Sequence, residues 1–196
     1  MGRIVVTEFI SLDGVMQAPG GEKFKYEGWT FEFDRGDDGN QFKLDEVLEA
    51  DAHLLGKKTY ESFAGAWPER ENAPGDMAKF AKKLRDDPKY VVSTTLRDPG
   101  WENVTVLDGG DATAQVTKLK DEVDGTILVA GSRRLVQELL DSDLVDQINL
   151  MVFPVALGTG DRMFGEMDDL KTFKLIESKP VGSDGVLVHK FERVTD

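Results

Sequence analysis

The 196 residues carry 37 acidic against 24 basic side chains, a formal charge of −13, with 40% hydrophobic and 31% charged residues. Length and composition fit one soluble-type domain with room for a sizeable core, and the acid excess argues against general binding to nucleic acid or an anionic membrane surface. The lack of cysteine removes disulfides, thiol catalysis, iron–sulfur clusters and cysteine zinc sites, and the two distant histidines, His53 and His189, argue against a histidine metal site or a Ser-His-Asp triad, so no metal is expected.

The N-terminal MGRIVVTEF lacks the long apolar region of a signal peptide, and LMVFPVAL is too short to span a bilayer, so a cytoplasmic location is expected. In chain order, Arg3–Phe9 reads as a strand. Gln17–Asn40 is irregular, rich in glycine and charge yet carrying Phe24, Tyr26, Trp29, Phe31 and Phe33, which suits a lid or a subunit contact. QFKLDEVLEA follows as a helix with Phe42, Leu44, Val47 and Leu48 on one side. Strands are then predicted at Asp51–Gly56, Lys89–Thr94, Val104–Leu107 and Thr126–Gly131, from their short length and β-branched content.

Between them, DMAKFAKKL predicts a helix capped by Asp76 with Met77, Phe80, Ala81 and Leu84 inward, and ATAQVTKLKDEV one with Val116, Leu119 and Val123 inward. Tyr60, Phe63, Trp67, Met151, Phe153 and Phe164 read as packing residues. LVDQINLMVFPVAL is a long strand candidate, and the turn residues of PVGSDG make a hairpin of the two runs around it. Strands alternating with helices predict an α/β fold with a mostly parallel sheet that ends antiparallel.

Two strand ends share a feature. Gly56 is followed by Lys57 and Lys58, and Gly131 by Ser132, Arg133 and Arg134, each at the predicted start of a helix. Cations in a first helical turn oppose the macrodipole, at about 0.3–1 kcal/mol each. A bound phosphate at the exposed N–H groups would reverse that sign; pairing with the surplus carboxylates is the alternative reading. Ser93 and Thr94 end a third strand with hydroxyls suited to a phosphate or ribose. Neither G-x-G-x-x-G nor a Walker A loop is present.

The order of ISLDGVM, LLGKKTYESF, YVVSTTL, VAGSRRLVQELL and LVDQINLMVFPVALGTGDRMF resembles the dihydrofolate-reductase-like superfamily, and within it the reductase domain of riboflavin biosynthesis with its stand-alone bacterial relatives. The resemblance spans Ile4 to Arg193. It implies a three-layer α/β fold, with a central mixed sheet and helices on both faces, and NADPH as cofactor. Gly56 and Thr59 would meet the pyrophosphate, Lys57 would lie near the adenosine 2′-phosphate, and Ser93 and Thr94 at the adenosine end. Lys58, Ser132, Arg133 and Arg134 would stand by the phosphates.

Ala130–Gly131 matches a Gly-Gly pair whose peptide is often cis. Ser11, Leu12, Asp13 and Gly14 would wall the nicotinamide and substrate, with Asp13 either a proton relay or a turn carboxylate. Trp29 would stack on a flat substrate. The acid that faces the pterin in dihydrofolate reductase has no assignable counterpart near Asn40, and the zinc deaminase domain of the riboflavin enzyme has none either. The reading is a single-domain, homodimeric, NADPH-dependent reductase of a small heteroaromatic or carbonyl-type substrate, possessing similarity to 5-amino-6-(5-phosphoribosylamino)uracil reductase. A dinucleotide-binding protein without turnover and a structural dimer module are the competing readings.

Overall fold

Strands that are apolar at successive positions, rather than alternate ones, are covered on both faces. Ala52–Gly56 is the extreme case, buried at every residue. The computed structural model describes residues 1–194. Its chain runs β1 (Arg3–Ser11), α1 (Gly36–Leu48), β2 (Ala52–Gly56), α2 (Lys57–Ala66), α3 (Asp76–Asp86), β3 (Lys89–Val92), β4 (Val104–Leu107), α4 (Ala112–Glu122), β5 (Thr126–Val129), α5 (Arg133–Asp141), β6 (Gln147–Phe153), β7 (Phe173–Val181) and β8 (Val186–Arg193).

The strands form one sheet in the order β4-β3-β2-β5-β1-β6-β8-β7. The first six positions are parallel. The β7–β8 hairpin closes the sheet antiparallel, with an irregularity between Leu175 and Glu177. On one face Val116 and Leu119 of α4 and Leu135, Val136, Leu139 and Leu140 of α5 pack on Ile4, Val6, Ile127 and Val129. On the other, Val47 of α1, Tyr60 of α2 and Leu84 of α3 cover Val5, Leu55, Val91 and Leu128. The three-layer arrangement and the antiparallel end are those the sequence predicts.

Several local expectations are corrected. Gly75, not Asp76, precedes the first turn of α3 as its N-cap, with φ of 67°. Met77 is 45% exposed because it sits on the first turn, past the edge of the sheet-facing stripe; Phe164 is 43% exposed although its neighbour Met163 is fully buried. The segment Gln17–Asn40 is more regular than expected, since Trp29–Glu32 forms a 3-10 turn and α1 starts at Gly36.

Trp29 is 5% exposed. Its ring meets Phe153 edge-on at 5.3 Å and its Nε1 donates to the Gln17 carbonyl at 2.8 Å. With both faces and its polar handle engaged inside the chain, it has no free surface to stack on a substrate.

Candidate active site

Because five connections return each strand in the same direction, the carboxyl ends of β1, β2, β3 and β5 share one edge, where open α/β sheets bind ligands. That edge gathers Ser11–Gly14, Gly56–Thr59, Ser93–Thr95 and Ala130–Arg134. The two glycine turns touch. Gly56 N donates to the Gly131 carbonyl at 3.0 Å. A Cβ on Gly56 would lie 2.9 Å from Ser132 N and closer still to Ser132 Oγ, so only glycine lets the turns meet.

Gly131 adopts φ of 96°, and a Cβ there would stand 2.8 Å from Thr59 Oγ1, 3.6 Å from Glu8 Oε1 and 3.8 Å from Met16 Cε. The cis peptide is Gly131–Ser132, one bond later than Ala130–Gly131, the pair the resemblance points to.

Helices α2 and α5 therefore start side by side. Neither has a side-chain cap, so the first N–H groups of both point at this edge without an internal acceptor. The four cations divide. Lys57 donates to Thr95 Oγ1 at 3.0 Å and lies 3.7 Å from Glu61. Arg133 pairs with Asp161 at 3.0 Å. Lys58 and Arg134 are exposed and have no ion pair among the described residues. Carboxylate pairing thus accounts for two cations and leaves two for a ligand. Ser93 Oγ accepts from the amides of Thr95 and Leu96, at 3.2 and 2.9 Å, which leaves its proton free to donate; Thr94 is exposed beside it.

The loop after β1 is strapped to the block that follows β6. Leu12 N donates to the Val155 carbonyl at 2.7 Å, Met163 N to Gly14 at 2.9 Å, and Met16 N to Asp161 at 2.9 Å. Asp13 is the knot. Its Oδ1 accepts from Ser11 Oγ at 2.6 Å and Leu157 N at 3.0 Å, and its Oδ2 from Gly158 N at 2.8 Å. The hydroxyl of Ser11, then these amides, hold the carboxyl down at about 2. A carboxylate so fixed has no proton to relay. Asp13 is a turn carboxylate, not a proton relay. Leu12 is 66% exposed and presents an apolar side chain at the same loop. The aromatic segment reaches this edge as well, through the Ser62 Oγ bond to Glu22 at 2.9 Å.

Glu8 is the acid that the sequence reading missed. It is 7% exposed, in the middle of β1, and its Oε1 is buried without a hydrogen-bond partner. Burial is the main cause that lifts its carboxyl to about 8; Lys43 works against the rise and Glu46 with it. No local signal marks it, because VVTEF also reads as a strand with one outward polar face. On the far side of β1, Glu46 has its oxygens satisfied by Thr7, Lys43 and Asn149 at 2.8, 2.6 and 2.7 Å.

The chain matches the RibD C-terminal domain family over residues 3–187. It is 24% identical over 186 residues to the uncharacterized protein YyaP of Bacillus subtilis (strain 168), covering 95% of this chain and 93% of that one. A putative riboflavin biosynthesis protein from Shewanella sp. PV-4 superposes with a TM-score of 0.75 at 20% identity, covering 98% of this chain and 99% of the other. Dihydrofolate reductase from Enterococcus faecalis, in complex with NADP(H), superposes with a TM-score of 0.57 at 14% identity, over 98% and 97%. Among the described residues no helix is long and apolar enough to cross a membrane. The match across nearly the whole chain and the shared three-layer fold agree: this protein belongs to the RibD C-terminal domain family, whose fold is that of dihydrofolate reductase.

Proposed function

We propose that the protein is an NADPH-dependent reductase acting on a small heteroaromatic or carbonyl-type substrate. The observation that carries this reading is the contact of the Gly56 and Gly131 turns, which sets two uncapped helix starts and the free cations Lys58 and Arg134 around one cradle. Such a cradle suits a pyrophosphate, by charge and by outward N–H groups. Gly56, Thr59, Ser132 and Arg134 would hold the phosphates. Lys57, held against Thr95, and the Ser93–Thr94 hydroxyls would meet the adenosine 2′-phosphate. When bound, the reduced dinucleotide supplies a hydride.

The chain's own residues shape the rest. Ser11–Gly14, fixed by Asp13, wall the site, and Leu12 offers an apolar contact in place of Trp29. The site then needs to hold an electrophilic carbon close and keep water out. Membership in a reductase family and the fold shared with an NADP(H)-bound enzyme support the cofactor; the exposed Leu12 at the same edge supports a partly apolar substrate. The experiment is NADPH oxidation followed by absorbance with dihydrofolate, riboflavin, menadione and a diaminouracil. Turnover of at least one is expected. Tight NADPH binding with no oxidation by any of them would favour a dinucleotide-binding protein without turnover.

A further inference from the structure

Reduction of a C=N or C=O bond consumes a hydride and a proton, and the residue that delivers the proton must be protonated, close to the cofactor cradle and shielded from water. Asp13 fails the first condition. Glu46 is occupied by three partners on the opposite side of β1. Asp161 is tied to Arg133. The hydroxyl of Thr59 stands at the cradle, and hydroxyls are poor acids.

Glu8 meets the conditions by position. By the two-residue alternation of a strand it shares the face of Val6 and Ile10, which is the face toward α5. Its Oε1 is the one carboxylate oxygen among the described residues that is buried with no partner. That oxygen lies 3.6 Å from where a side chain on Gly131 would begin, with Thr59 Oγ1 and Met16 Cε on the other sides of the same space. A buried polar atom left unpaired costs roughly 1–3 kcal/mol and calls for a reason.

We propose that Glu8 is the proton donor of the reductase, poised at the Gly131 end of the cradle to protonate the heteroatom of the substrate. This rests on the reductase reading above. In the step, the substrate carbon gains the hydride and its heteroatom gains the Glu8 proton, while the dinucleotide leaves oxidised and Glu8 remains as carboxylate. Solvent re-protonates Glu8 through its residual 7% exposure.

The charged groups around it do not remove the proton. From α1, Lys43 and Glu46 act with opposite signs and pair with each other at 2.6 Å. From α2 the uncharged Thr59 hydroxyl lines the same space beside Gly131. In the first turn of α5, Arg133 is held by Asp161 and Arg134 is exposed. On β6 its register partner is the apolar Leu150, beyond which stands His189 of β8. The burial of the site keeps Glu8 protonated up to about pH 8.

The test pairs infrared difference spectroscopy of the free protein with single-turnover kinetics, on wild type, Glu8→Gln and Glu8→Asp. A protonated-carboxyl carbonyl band should titrate near pH 8 in wild type and vanish in Glu8→Gln. With NADPH and whichever acceptor of the panel the wild type reduces, Glu8→Gln should slow the chemical step by about 100-fold or more. It should also lose the fall in rate at alkaline pH, while NADPH affinity stays within about twofold.

Glu8→Asp keeps an acid and should retain a pH-dependent rate between the two. An unchanged rate and pH profile in Glu8→Gln, or no titrating band, overturns the assignment of Glu8 and leaves the reductase reading standing. A wild type that binds no NADPH, with the band intact, overturns the reductase reading and the donor role together.

Discussion

Two acids five residues apart on the same strand and its turn have opposite fates, and the difference is what surrounds them. Asp13 accepts three hydrogen bonds and stays ionised; Glu8 has a sealed oxygen and keeps its proton. The consequence for stability has a sign. Glu8 rises from 4.5 to about 8 on folding, so the folded chain retains a proton that the unfolded chain releases across that window. Its contribution is full below pH 4.5 and is lost as pH rises toward about 8.

Glu8→Gln removes this slope. Relative to wild type, the variant should gain stability between those limits, by up to about 5 kcal/mol at roughly 1.4 kcal/mol per unit. Urea midpoints measured from acid to mildly alkaline pH check it; parallel curves for the two proteins would show that Glu8 ionises normally in the fold. The sequence leaves Asp13 open between a proton relay and a turn carboxylate, because a carboxylate before a glycine suits both. Glu8 in VVTEF reads as an outward position, since nothing local says that this strand lies in the middle of the sheet.

At the scale of elements, the strands and the helices were legible because their apolar periods are long and consistent. Leu135, Val136, Leu139 and Leu140 form the buried stripe of α5 as read, and the two glycine turns fall at strand ends as read. Their contact across β2 and β5 was not legible, because it depends on strand order. The aromatic segment was misread for a similar reason. Trp29 and Phe33 meet Phe153, a residue 120 positions or more away in the chain, and no local pattern tells that such rings have a partner. Phe31, 71% exposed, and Tyr26, 38% exposed, are the aromatics of that segment that keep a free face. Helix ends were the least legible, as at Gly75, where the left-handed backbone displaces the cap that Asp76 suggests.

For the whole molecule, the sheet has two edges, β4 and β7. β7 carries an irregularity, Pro180 and the charges of Lys174, Glu177 and Lys179, which discourage pairing along its edge. Apolar exposure lies instead in and before it, at Phe164, Met167, Leu170, Leu175 and Ile176, with Leu170 at 93%. We propose that the protein is a homodimer through this stretch rather than through the aromatic segment, whose rings are largely committed inside the chain. Light scattering should give twice the chain mass of 21.7 kDa, and Leu170→Asp with Ile176→Asp should return it to monomer. A wild type at the monomer mass would contradict this assembly.

We propose that the joined glycine turns and their cations bind a 2′-phosphorylated dinucleotide. The most direct measurement is a fluorescence-quenching titration of the wild type and of a Lys57→Ala variant with NADPH and with NADH. A charge-assisted contact contributes roughly 1.5–3 kcal/mol, so the wild type should bind NADPH at least about tenfold more tightly than NADH, and the variant should lose most of that preference. Equal affinity of the wild type for the two dinucleotides, or no quenching by either, would contradict the account.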